Sequence, residues 1–110
     1  EEENKNLILF ASEAPLYPTL RKNLTCSEQA KSVVMKKLEK TLLATFPKVK
    51  EKVTIDGIRL TLENGWILVR PSGTEPLIRI TVEANSEKDA KEILEKGVKT
   101  VEKAIKEIAG

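Results

Sequence analysis

The middle third of the chain alternates apolar and polar side chains, and short turn segments interrupt the alternation. These turns contain Asp56-Gly57, Asn64-Gly65 and the proline-bracketed residues 71–76. Asp-Gly and Asn-Gly pairs are favoured in two-residue hairpin loops, and alternation with period two is typical of strands buried on one face. The segment therefore predicts consecutive antiparallel strands joined by tight turns.

Two-residue loops also predict a register for these strands. They place Ile55 opposite Ile58 and Leu60 opposite Val69. One face of the sheet is then entirely apolar, as expected of a face covered by helices. Its members are Val53, Ile55, Ile58, Leu60, Leu62, Ile67, Val69, Ile78, Ile80 and Val82.

The opposite face of the predicted sheet is mostly polar. Its members are Arg59, Thr61, Glu63, Trp66, Leu68, Arg70, Leu77, Arg79 and Thr81. The register sets Arg59 directly across from Arg70, and such a like-charged pair is destabilising unless solvent, a carboxylate or a bound anion screens it. Trp66 and Leu68 are unusual on a polar face. They could contact a neighbouring domain, or they could form a small apolar cluster with the N-terminal segment.

Two amphipathic helices flank the strands. After Ser86 the apolar residues recur at three- and four-residue spacing, which predicts a helix over residues 87–108 with this serine as its cap. The same spacing predicts a helix over residues 27–45, and residues 20–25 before it are expected to be extended. The pattern favours an α+β domain with both helices on the apolar sheet face.

The turn at residues 70–76 reads Arg-Pro-Ser-Gly-Thr-Glu-Pro, and Arg79 follows it. Hydroxyls, loop N–H groups and guanidinium forks are the donors that a phosphate dianion needs. Gly73 can adopt a positive φ and turn successive N–H groups into one anion-binding concavity. Three of the four arginines lie in this region, and Arg59 and Arg70 are two of them. The turn is therefore a candidate phosphate-binding loop.

Composition restricts the chemistry of the chain. Its 110 residues suffice for one core, and a net charge of +2 supplies no general attraction for nucleic acid or membranes. There is no histidine, and Asp56 and Asp89 are the only aspartates, which removes His-based acid–base catalysis and the usual zinc ligand sets. Histidine-based chemistry is therefore excluded, and no residue of this chain stands out as catalytic or as a metal ligand.

A cytoplasmic location is expected from two features. Cys26 is the only cysteine, which excludes a disulfide within the chain and suits a reducing compartment. The longest apolar run, residues 7–11, is too short to cross a bilayer.

Residues 70–76, together with Arg79 and the strand end at residues 82–84, resemble the phosphate-binding loop of the α-D-phosphohexomutases. This family contains phosphomannomutases, phosphoglucomutases and phosphoglucosamine mutases. The similarity extends over most of the chain, and residues 7–17 resemble the linker that leads into the family's last domain. The resemblance implies a TATA-binding-protein-like fold, with a four-stranded antiparallel sheet, two helices packed on one face and the element order β-α-β-β-β-α.

The resemblance also implies a domain division and a function. Residues 1–19 would form an interdomain linker with room for a short helix, and residues 20–110 the C-terminal domain. In the family this domain binds the phosphate of a hexose phosphate while the enzyme moves a phosphoryl group between the 6- and 1-positions. The preceding domains hold the catalytic residues and Mg²⁺, so this domain alone would need no cofactor and would not catalyse.

Carried over by position, the residues expected to bind the substrate phosphate are Arg70, Ser72, Gly73, Thr74 and Arg79. Glu75 would repel phosphate, so its expected role is to orient an arginine or to cap the loop. Arg59 lies outside the family motif, and a supporting role for it rests on the predicted register alone.

Two further functions are compatible with the sequence. The first is a stand-alone module that binds phosphate or phosphosugars. The second is a nucleic-acid-binding domain, which only the fold-level analogy suggests, since no basic stripe is present and Trp66 is the single candidate for base stacking. Which hexose phosphate is the substrate is not encoded here, because the family's sugar-recognition residues lie in other domains.

Overall fold

The computed structural model describes residues 17–109, which form an antiparallel sheet covered on one face by two helices. Its elements in chain order are β1 (Thr19–Thr25), α1 (Glu28–Thr45), β2 (Glu51–Val53), β3 (Ile58–Thr61), β4 (Gly65–Pro71), β5 (Leu77–Ala84) and α2 (Glu87–Ala109). The strands lie in the order β1-β5-β4-β3-β2. The short helix considered for the N-terminal linker falls outside the described residues.

The sheet has five strands, so the expectation of four was wrong. Residues 51–53 add the short edge strand β2, which pairs with β3. Both helices, in contrast, match their predicted extents within one residue at each end. The predicted cap of α2 is also present, because the Asp89 N–H donates to Ser86 Oγ at 3.1 Å.

The apolar face of the three inner strands is buried as predicted. Its fully packed members are Ile58, Leu60, Ile67, Val69, Ile78, Ile80 and Val82. They pack against the inner stripes of both helices, represented by Leu38 and Leu42 of α1 and Val101 of α2. Burying each such side chain stabilises the fold by about 1.5–3 kcal/mol. The prediction fails at the edge, where Ile55 is 77% exposed.

Ile55 is exposed because Asp56-Gly57 does not form a two-residue hairpin. Strand β2 ends at Val53, and residues 54–57 form a longer loop in which Asp56 has a φ of 58° and Gly57 a φ of 141°. Val53 therefore pairs with Arg59 and not with Leu60. Since a shift of one residue moves every side chain of a strand to the other face, β2 is inverted relative to the prediction.

The next turn also differs from the prediction. The Leu62 N–H donates to the Gly65 carbonyl at 2.7 Å, so the turn residues are Glu63 and Asn64. Thr61 consequently pairs with Trp66, a shift of two residues that leaves each side chain on its predicted face. Gly65 is needed inside β4, and not in the turn, because a Cβ there would lie 2.3 Å from the Glu83 carbonyl oxygen of β5.

An ion pair between Lys37 and Glu107 joins the two helices. The hydrogen bond from Lys37 lowers the pKa of Glu107. A carboxyl whose pKa is depressed by folding stabilises the protein above its ordinary pKa of about 4.3, and this contribution is lost as the pH falls. Glu107→Gln should therefore lower the melting temperature slightly at neutral pH, and the difference from the wild type should shrink and vanish as the pH falls below the lowered pKa of Glu107.

Thermal unfolding followed by circular dichroism at several pH values checks this expectation. Glu95→Gln, at an exposed position of the same helix, is the matched control. A difference between wild type and Glu107→Gln that stays constant with pH would contradict the assignment.

Candidate phosphate-binding site

The candidate loop joins β4 to β5, which are two of the three inner strands of the sheet. Arg70 near the end of β4 pairs directly with Arg79 of β5. Both side chains are exposed and lie on the face away from the helices. The predicted pairing of Arg59 with Arg70 was therefore wrong, and the like-charged pair is formed by the two arginines of the motif.

The two arginines differ in their surroundings. Arg79 Nε donates to Asn23 Oδ1 of the adjacent strand β1 at 3.3 Å. The guanidinium group of Arg70 forms no hydrogen bond with any other residue of the described range. Both guanidinium groups thus keep donors that no described residue uses, and two adjacent cations create a local preference for an anion.

The interior of the loop is held by Ser72. Its Oγ accepts hydrogen bonds from the N–H groups of Thr74 at 3.3 Å and Glu75 at 3.1 Å. The Ser72 N–H donates to the Leu77 carbonyl at 3.0 Å. These amides are turned into the loop, so Ser72 performs ordinary turn bonding here while its own hydroxyl proton stays free to donate.

Gly73 does not adopt the conformation that the sequence suggested. Its φ lies outside the positive region, and a Cβ built on it meets no atom within 4 Å. The concavity of successive N–H groups is therefore not formed in this conformation. The donors that remain available around the loop include the guanidinium groups and the hydroxyl of Thr74, which is exposed.

Sequence reasoning missed Lys31, which contacts the loop from α1. Its side chain is buried, and Nζ donates to the carbonyl oxygens of Ser72 and Glu75 at 2.6 Å each and to Glu28 Oε2 at 2.9 Å. A signal was present in the sequence, because Lys31 interrupts the apolar stripe of α1 three residues before Val34. The lysine reaches from the helix layer to the base of the loop.

The two residues assigned supporting roles have different partners. The carboxylate of Glu75 pairs with no arginine among residues 17–109, and Glu75 contributes to the loop through its main-chain N–H and carbonyl. The guanidinium of Arg59 lies 4.5 Å from the ring centroid of Trp66, a cation–π contact on the open face. Arg59 pairs with Leu68, so it is not a direct neighbour of Arg70 in the ladder.

A shallow depression of about 340 Å³ borders the loop. Its walls include Arg70 and Gly73, Glu39 of α1, and Asp56 and Gly57 of the loop between β2 and β3. A group bound by Arg70 would therefore border a concave surface that also carries carboxylates.

No group of three or more Cys, Asp or Glu side chains among the described residues is close enough to hold a metal ion. Neither described helix is both long and apolar enough to cross a membrane.

The fold and the loop together define an α+β domain that presents a turn rich in hydroxyls and bordered by arginines on an open sheet face. Residues 23–100 match the family model of the phosphoglucomutase/phosphomannomutase C-terminal domain. The chain belongs to this family, as its loop sequence indicated.

Curated proteins that are similar in sequence to this chain include phosphoglucosamine mutases. Phosphoglucosamine mutase of Methanocaldococcus jannaschii is 48% identical over 102 residues, which cover 93% of this chain and 22% of that protein. A probable phosphoglucosamine mutase of Methanopyrus kandleri is 42% identical over 107 residues, covering 97% and 23%. The chain thus spans about a fifth of the length of these curated relatives.

A solved structure shares the fold. It is a phosphoglucomutase/phosphomannomutase family protein from Burkholderia thailandensis, with a TM-score of 0.63 and 27% identity. The match covers 82% of this chain and 18% of that one.

Proposed function

We propose that this chain is the domain of a phosphohexomutase that binds the phosphate of the substrate. The observation that carries the proposal is the direct pairing of Arg70 with Arg79 beside a loop of hydroxyl residues, within the segment that matches the family. Paired guanidinium groups repel each other without an anion, and a phosphate dianion between them would convert this repulsion into charge-assisted hydrogen bonds.

The side chains and the backbone of the loop contribute to phosphate binding in different ways. Arg70 and Arg79 bind phosphate oxygens through their free N–H groups, and the hydroxyls of Ser72 and Thr74 donate further hydrogen bonds. Gly73 lets the ligand approach the backbone, since its Cα faces open space. The binding energy of this phosphate, which does not react, would orient the sugar for transfer of the other phosphoryl group.

The parent enzyme would transfer a phosphoryl group between the 6- and 1-positions of a hexose phosphate in the cytoplasm. Because similar curated relatives are named phosphoglucosamine mutases, we take glucosamine phosphate as the substrate. The preceding domains, joined through a linker at residues 1–19, would supply the catalytic residues and Mg²⁺. The domain over residues 20–110 would have the TATA-binding-protein-like arrangement, with one more edge strand than that description implies.

The isolated 110-residue chain should bind the phosphate ester but not turn it over. In ¹⁵N NMR titrations, glucosamine 6-phosphate should shift the amide signals of residues 70–79, because the phosphate contacts lie there. Unphosphorylated glucosamine at the same concentration is the matched ligand control. A coupled mutase assay with Mg²⁺ and a sugar bisphosphate should show no activity, since the residues that transfer the phosphoryl group are proposed to lie in the preceding domains.

The two readouts separate the alternatives. Turnover by the purified chain would refute the division of labour between domains. Shifts that are equal for both sugars, or that fall outside the loop, would refute the phosphate-binding assignment. Tight binding without any partner domain would favour the stand-alone module.

A further inference from the structure

Lys31 is the only lysine of the described residues that is buried, with 7% of its surface exposed. A lysine side chain usually keeps its ammonium group in water, because burying the charge without partners is costly. Here the ammonium donates three hydrogen bonds, which equals the number of its N–H groups. All three N–H donors of the buried ammonium group therefore have acceptors.

The acceptors show what the lysine connects. Glu28 lies one helical turn away, its side chain is 61% exposed, and such a contact stabilises the helix locally. The carbonyl oxygens of Ser72 and Glu75 lie 41 and 44 residues away in the sequence, at two ends of the candidate loop. One ammonium group thus holds both ends of the segment that carries Ser72, Gly73 and Thr74.

Few other contacts restrain this segment. Gly73 has no neighbour within 4 Å of a built Cβ, and Thr74 and Glu75 are exposed. The bonds inside the loop connect it to itself and to the start of β5. At the end of the loop, the Cys26 N–H just before α1 donates to the Pro76 carbonyl at 2.9 Å. Within residues 72–75, Lys31 is the side chain of α1 that hydrogen-bonds to the loop.

We propose that Lys31 is a positioning residue for the phosphate-binding loop. By holding the Ser72 and Glu75 carbonyls at a fixed separation, it keeps the loop hydroxyls beside Arg70 and Arg79 before any ligand arrives. Such preorganisation lowers the entropic cost of binding. The proposal rests on the proposed function of the loop, and Lys31 itself does not touch the ligand.

Lys31→Met tests the proposal, because methionine keeps a long unbranched side chain and removes the three donors. Lys36→Met, at an exposed position of the same helix, removes the same charge and is the matched control. Lys31→Arg retains the charge but replaces the compact ammonium with a planar fork. All three are made in the 110-residue chain, and folding is first checked by circular dichroism.

The first measurement uses no ligand. Amide ¹⁵N relaxation and hydrogen exchange of residues 72–75 should show a more mobile loop in Lys31→Met and an unchanged loop in Lys36→Met. In the second measurement, the Kd for glucosamine 6-phosphate should rise at least ~5-fold in Lys31→Met, as expected for the loss of preorganised charged hydrogen bonds. Lys31→Arg keeps the positive charge that Lys31→Met removes, but its affinity for glucosamine 6-phosphate should stay below that of the wild type.

Loop dynamics in Lys31→Met that equal those of the wild type would overturn the positioning role. Full affinity in Lys31→Arg together with a mobile loop would overturn it too, because the lysine would then act through its charge alone. If Lys31→Met fails to fold, Lys31→Arg decides by the same two measurements. Failure of the proposed function is seen separately, as a wild-type chain whose loop signals do not respond to the phosphate ester.

Discussion

Arg70→Ala or Arg79→Ala in the full-length parent enzyme should lower kcat/KM for the hexose phosphate at least ~10-fold. Each substitution would remove charge-assisted hydrogen bonds between a guanidinium group and the substrate phosphate. Such a hydrogen bond is worth about 1.5–3 kcal/mol, and a loss of about 1.4 kcal/mol lowers kcat/KM tenfold. Steady-state kinetics over a range of substrate concentrations measure the effect. Lysine should replace either residue poorly, because it cannot contact two phosphate oxygens with one rigid fork.

The melting temperatures of these variants distinguish a binding role of the two arginines from a structural role. Arg70 and Arg79 are direct partners in the ladder, so removing either one relieves a repulsion, and the melting temperature should stay the same or rise slightly. Arg21→Ala, an exposed arginine of β1 paired with Thr81, is the matched control and should keep nearly full activity. Full kcat/KM in both alanine variants would show that neither arginine binds the substrate phosphate, and unfolding of both would show that the arginines are structural.

Gly65→Ala should reduce the free energy of unfolding by about 1–3 kcal/mol, the usual cost of overpacking a site that cannot relax. A Cβ at this position would lie 2.3 Å from the Glu83 carbonyl oxygen and 2.7 Å from the Ala84 Cα. Both are backbone atoms of β5, so no side-chain movement can accommodate the methyl group. Urea unfolding of the isolated chain measures the change.

Gly73→Ala is the matched control for this experiment. A Cβ at Gly73 would meet no atom within 4 Å, and its φ lies outside the positive region. The same substitution should therefore leave stability unchanged or increase it slightly, since alanine restricts the unfolded chain. Equal destabilisation by the two substitutions would show that the close approach of β4 and β5 at Gly65 is not the cause.

The site illustrates how a small error in register changes a functional argument. Placing the turn at Asn64-Gly65 paired Arg59 with Arg70 and made Arg59 a supporting residue. In the structure the turn lies one residue earlier, and Arg59 stacks on Trp66. The stacking contact gives Trp66 a local partner on the open face, whereas the sequence left its role undecided between a neighbouring domain and the N-terminal segment.

The sequence by itself determined both helices, the apolar face of the inner strands and the chemistry of the loop. These depend on local signals, such as the three- and four-residue spacing after Ser86, the alternation around Val69, and the residue types of the turn. The family follows from the same residues, because the loop motif is a continuous stretch of chain.

Only the tertiary structure decided how these parts are placed relative to one another. The number of strands, the pairing of Arg70 with Arg79 and the contact of Lys31 with the loop depend on which segments pack together. A turn that moves by one residue shifts a register by two, and no local pattern distinguishes the two positions. Lys31 donates to carbonyls 41 and 44 residues away in the sequence. Every residue has a main-chain carbonyl, so the residue types do not show which carbonyls will accept from the lysine.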